Sequence, residues 1–241
     1  KTWFHFSIAI FSFFIMNLFL NNSFSKKDIL FSFTGWTSIG NSNWYIFSVL
    51  VLYLITYASF KIFDDKKEHK NALVLTWFLT FIVTLFLSRY KPFHYYNTLF
   101  CFPFGLTFSY QKEKIETILF NKKKFIFSLI LTLFCFFTLR IYSGSNYLYY
   151  EFYSILFCML VIELTMLVNL KSNILKWFGD HLFWFYILQR IPMIVLQKTS
   201  ISNHPYQFLV IAFLITVFLT AIYSILVNKL DSFLFREKKK I

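Results

Sequence analysis

Eight long apolar stretches dominate this chain and constrain what it can fold into. They fall at 3–20, 44–62, 72–88, 97–110, 125–141, 150–170, 182–196 and 208–227. A helix needs about 20 apolar residues to cross the hydrocarbon core of a bilayer, and most of these stretches approach that length. Only 15% of the residues are charged, against about 25% in a typical soluble domain. A soluble globular enzyme is excluded, and so is a disordered chain, which needs low hydrophobicity and high charge. The expected fold class is all-α: a polytopic transmembrane helix bundle of about eight spans, forming one domain over residues 1–241. The stretch at 97–110 is short and holds Pro103 and Gly105, which suits a broken or re-entrant helix.

Charge orders the spans. If they alternate in direction, seventeen of the 24 Lys and Arg fall on one side and six on the other, with Arg190 inside a span. The cation-rich side is the cytoplasmic one. The loops 63–71 and 111–124 are both Lys-rich, so two crossings are expected to separate them, with 97–110 as the second. Both ends of the chain come out cytoplasmic, and 229–241 reads as a basic cytoplasmic tail. The net charge of +13 is therefore a topology signal, and nucleic acid is not an expected partner. The bilayer is. Cys101, Cys135 and Cys158 lie in apolar runs, and the five His lack metal-ligand spacing, so no metal is expected. Gly35 and Gly40 are five apart among polar residues, which reads as a loop and not as a helix-packing motif.

Polar residues inside spans are costly to insert and so are informative. Glu163 and Arg190 stand out, on consecutive spans joined by a short loop, and an ion pair or a charged cavity wall are the two readings. Tyr186, Gln189, Arg190 and Met193 fall on one helix face, a polar stripe suited to lining a cavity. Pro192 is expected to kink that helix. Asp180 reads as a helix cap and His181 as an interfacial residue or a general base. His5 reads as incidental. The basic, aromatic segment 89–96 suits either a sugar-stacking surface or an aromatic interface belt, and Lys122 to Lys124 suit a phosphate or anionic lipid.

Three segments carry a family resemblance. Asn43-Trp44-Tyr45-Ile46-Phe47 with Tyr53-Leu54 resembles the "WFL…Y" helix of the acyltransferase 3 family, bacterial integral-membrane O-acyltransferases. Tyr96 to Gly105, followed by a Lys-rich loop, resembles its "F-x-x-G" helix. Leu175 to Gly179 with Phe185 to Gln189 resembles its "LxxLGxxSxxIYLxH" segment, with Gln189 in place of the His. The order and spacing match across residues 40–195.

The resemblance implies helices three to ten of a ten-helix fold, so the chain is expected to be an N-terminally incomplete copy. The implied activity is transfer of an acyl group, often acetyl, from acyl-CoA to a sugar hydroxyl of a surface polysaccharide or lipid-linked glycan. Acyl-CoA (acetyl-CoA) is then a co-substrate, no cofactor stays bound, and the implied location is the bacterial inner membrane. The family's hallmark is an Arg about ten residues before a His that serves acyl transfer. Nothing here matches it, so no catalytic residue is assigned and the chain is expected to be inactive alone. The implied substrate-binding residues are Arg190, Gln189, Tyr186, Glu163, Trp44 and Tyr45. The alternative is a transporter or flippase for a lipid-linked sugar, which discontinuous helices also suit.

Overall fold

Apolar runs and the polar residues flanking them decide where helices begin and end. The computed structural model describes residues 2–41, 43–142, 144, 146–168 and 171–234. Among these, no strand occurs. The helices are α1 (Thr2–Phe19), α2 (Lys26–Ser32), α3 (Trp44–Ile62) and α4 (His69–Tyr90). Next come α5 (Cys101–Tyr110), α6 (Lys112–Leu119), α7 (Lys122–Tyr142) and α8 (Tyr147–Leu167). The last are α9 (Asn173–Asp180), α10 (Leu182–Leu188), α11 (Arg190–Gln197) and α12 (Pro205–Leu234). Side-chain oxygens cap four α-helix N-termini among the described residues: Ser25 on α2, Asn121 on α7, Asn146 on α8 and Ser172 on α9. α1 stops where Asn21 takes a φ of 54°, which lets the Asn22 N–H reach back to the Asn17 carbonyl at 3.0 Å.

Six described helices, α1, α3, α4, α7, α8 and α12, are long and apolar enough to cross a membrane. Only 11% of the apolar window of α7, and likewise of α8, is buried. An apolar helix left that exposed belongs in lipid. The other two stretches form shorter helices. α5 has ten residues. At 1.5 Å per residue it rises about 15 Å, half the bilayer core. It starts late because residues 96–100 are turns, and Pro103 sits in its first turn, where a missing N–H has no intrahelical acceptor to lose. The stretch 182–196 is divided between α10 and α11. Of the expected basic tail, residues 229–234 continue α12 and 235–241 lie outside the described residues.

The chain divides into two compact units, Lys1–Ile46 with Lys171–Ile241, and Phe47–Leu170. In the first, α10 and α11 pack on α12. Its core holds Phe6, Ile10 and Phe13 of α1 and Leu188 of α10, all inaccessible to solvent. In the second, α7 packs along α8, and α5 packs on α4 and α8. Thr76, Thr80 and Thr84 line the buried face of α4 at four-residue steps. Each hydroxyl donates to the carbonyl one turn back, at 2.8 to 2.9 Å. That satisfies a buried donor without a partner from another helix.

Candidate functional site

The polar stripe of the 182–196 stretch lies at a helix break in the first unit. α10 ends at Leu188, Gln189 forms the junction, and α11 begins at Arg190. Pro192 has no N–H to offer the Leu188 carbonyl, which is the physical reason for the interruption. Tyr186, Gln189 and Arg190 are all half-buried there.

Two further residues of the first unit meet this stripe. The Tyr186 ring lies 4.9 Å from the Tyr45 ring and 6.3 Å, edge-on, from the Trp44 indole. Trp44 and Tyr45 are themselves edge-to-face at 6.0 Å. Such pairs are favoured geometries for aromatic quadrupoles. The structure thus brings Trp44, Tyr45 and Tyr186 into one aromatic cluster, with Arg190 one helical turn beyond Tyr186.

Arg190 has a partner that sequence reading missed. Its Nε donates to the Gly40 carbonyl at 3.4 Å. Gly40 belongs to a loop tied together by its own polar side chains. Ser38 Oγ bonds to the Asn41 carbonyl, Asn41 Oδ1 accepts the Ile39 N–H at 3.1 Å, and Asn43 Nδ2 donates to the Thr37 carbonyl. Asn41 and Asn43 are buried. The density of Asn and Ser from Ser38 to Asn43 was the available signal. A third Asn anchors the loop to α1: Asn17 Nδ2 donates to the Ile39 carbonyl at 2.7 Å.

Glu163 lies in the second unit, fully buried on α8. Its Oε1 accepts Ser128 Oγ at 2.5 Å and Thr132 Oγ1 at 3.3 Å, both from α7. These bonds make Glu163 a pin between two packed spans. Glu151, also fully buried on α8, went unremarked in the sequence. Its Oε2 accepts the Phe100 N–H at 3.2 Å. Phe100 opens α5, which has no side-chain cap of its own. A side-chain oxygen from a neighbouring helix thus supplies that cap.

The histidines also change meaning. His5, read as incidental, has Nε2 3.0 Å from Asp231 Oδ1, joining α1 to α12, with Trp184 at 5.5 Å. Asp180 ends α9 and is not the N-cap of α10; that position belongs to His181. The His181 imidazole turns back instead, donating through Nδ1 to the Trp177 carbonyl at 2.7 Å and stacking on the Trp177 ring. Lys91 stands over the Tyr95 ring at 5.0 Å, and burial lowers the ammonium pKa and raises that of the phenol. No cluster of three or more His, Cys, Asp or Glu with metal-binding geometry occurs among the described residues.

Comparison with known proteins adds one match. No curated protein and no solved structure resembles the chain closely enough to count as similar. The family model described as an acyltransferase domain, acyltransferase 3, matches residues 3–228. That match takes in Gly40, Trp44, Tyr45, Glu163, Tyr186, Gln189 and Arg190, and the chain belongs to the acyltransferase 3 family of membrane acyltransferases.

Proposed function

We propose that the intact protein moves an acyl group, acetyl in the simplest case, from acyl-CoA to a sugar hydroxyl of a surface polysaccharide or lipid-linked glycan. The hydroxyl oxygen attacks the thioester carbonyl, a new ester forms, the C–S bond breaks, and the hydroxyl proton ends on the departing CoA thiol. Arg190 stabilises a donor phosphate or the oxyanion that develops at the carbonyl. Gln189 and Tyr186 orient the substrate, and Trp44 and Tyr45 pack against it. The observation that supports this reading is the half-buried Arg190 at a helix break, its guanidinium directed by the Gly40 carbonyl beside the Tyr186 cluster. The host membrane is the bacterial inner membrane, with the Lys-rich loops toward the cytoplasm.

Membrane vesicles carrying the full-length protein, given radiolabelled acetyl-CoA, are expected to pass label into base-labile esters on glycan. A transporter for a lipid-linked sugar is the alternative, and the interrupted α10–α11 pair is the feature it would use. It predicts sugar movement with no ester label, and that result would overturn the acyltransferase reading.

A further inference from the structure

In the second unit, the segment after α4 and the start of α8 form an open groove of about 620 Å³. It is lined by Phe93, Tyr96, Arg140, Asn146, Tyr147 and Tyr150, among others. The rings are arranged in two edge-to-face pairs: Phe93 with Tyr150 at 5.1 Å, and Tyr96 with Tyr147 at 6.2 Å. An edge-to-face pair leaves at least one face of each ring uncovered by its mate. Arg140 is exposed at the end of α7, its guanidinium 5.9 Å from the Tyr153 ring. Asn146 is exposed too, with Oδ1 spent on the Leu148 N–H at 2.9 Å. The lining carries a cation and no carboxylate among the described residues. Glu151, next to Tyr150, is fully buried with Oε2 on the Phe100 amide.

We propose that this groove binds an acidic saccharide. A pyranose has an apolar C–H face that packs on an aromatic ring, and hydroxyls at its rim that take hydrogen bonds from phenols and amides. A uronate adds a carboxylate, which a guanidinium matches with two parallel donors. The groove offers these partners at one place: four rings, an amide and Arg140. The charge bias of the sequence puts residues 89–96 and 142–147 on the cation-poor side, where surface glycan is found. The inference rests on the glycan-acceptor reading above and names the class of that acceptor.

The test is calorimetric titration of the whole chain in nanodiscs, with no acyl donor present. The probes are a hyaluronan hexasaccharide, which carries glucuronate, and neutral maltohexaose. The wild type is expected to bind the acidic probe more tightly. Tyr96→Ala and Tyr147→Ala are each expected to raise its Kd about tenfold, while Tyr96→Phe, which keeps the ring, stays within about twofold. Arg140→Gln is expected to raise the Kd for the acidic probe about tenfold and leave that for maltohexaose unchanged. Two results overturn the proposal. One is no binding by the wild type, or Ala variants that bind like it, as an aromatic interface belt would give. The other is an Arg140→Gln variant that weakens both probes equally. Binding is read without acyl transfer, so vesicles that fail to label glycan leave this result standing, and the reverse also holds.

Discussion

Arg190 and Gly40, 150 positions apart in the chain, are joined by a hydrogen bond from Nε to the backbone carbonyl at 3.4 Å. The carbonyl points that way because Gly40 sits at φ 104°, a conformation L side chains rarely adopt. There is a second reason for glycine. A Cβ at this position would stand 3.1 Å from Ile194 Cδ1, on the helix that begins with Arg190. Backbone conformation, close approach and the direction of the cation are therefore one arrangement.

Gly40→Ala is expected to destabilise the protein by about 2 kcal/mol, from backbone strain and the close contact together. Thermal unfolding in detergent measures it. Ile194→Val removes the Cδ1 that the new Cβ meets. In a double-mutant cycle it recovers the steric share only. Full recovery would show that the positive φ costs nothing.

Glu163 depends on its hydroxyl partners. Ser128→Ala leaves Oε1 with the longer Thr132 bond at 3.3 Å, and a loss of about 1–3 kcal/mol is expected. Replacing all three polar groups, as in Ser128→Ala with Thr132→Val and Glu163→Met, is expected to restore most of that stability, because none of the three positions then keeps a buried polar atom short of a partner. The melting temperatures of Ser128→Ala, Glu163→Met and the triple variant decide it.

At the start of α5, Glu151→Gln keeps an oxygen for the Phe100 N–H and is expected to be mild. Glu151→Ala removes the cap and is expected to cost about 1 kcal/mol. The specific readout is hydrogen exchange. The Phe100 amide exchanges faster in the Ala variant and near the wild-type rate in the Gln variant. Equal rates in all three would contradict the capping role.

His5 and Asp231 are each less than a fifth exposed, at 18% and 17%. A cycle of His5→Ala and Asp231→Ala is expected to give a coupling energy of about 1 kcal/mol, at the upper end for a partly exposed pair. Additive losses would mean that the two side chains meet without stabilising each other.

The long helices were readable because lipid and helix make the same demand on a sequence. α3 coincides with its apolar run, and α1 is displaced from its own by one residue. α7 starts earlier than its run because Lys122 to Lys124 are good helix formers whatever surrounds them. The 97–110 stretch was less readable, since apolar composition there hides turns before Cys101. The stripe of Tyr186, Gln189 and Arg190 was visible from helical spacing, whereas Trp44 and Tyr45 were visible only through the family resemblance. The Gly40 carbonyl could not be read, because every residue has one and only the folded chain says which meets an Arg. Glu151 and His5 were passed over for a related reason. Each lies near the edge of an apolar run, where a polar side chain usually faces water.

The most direct measurement of the central claim is the O-acetyl content of surface glycan in cells lacking the gene, complemented with wild type or with Arg190→Ala. Wild type is expected to restore the esters. Arg190→Ala, present in the membrane at equal abundance, is expected to cut acetyl transfer about 100-fold, the scale for losing a donor to a developing oxyanion. Glycan that keeps its O-acetyl groups without the gene, or that Arg190→Ala restores in full, would contradict the account.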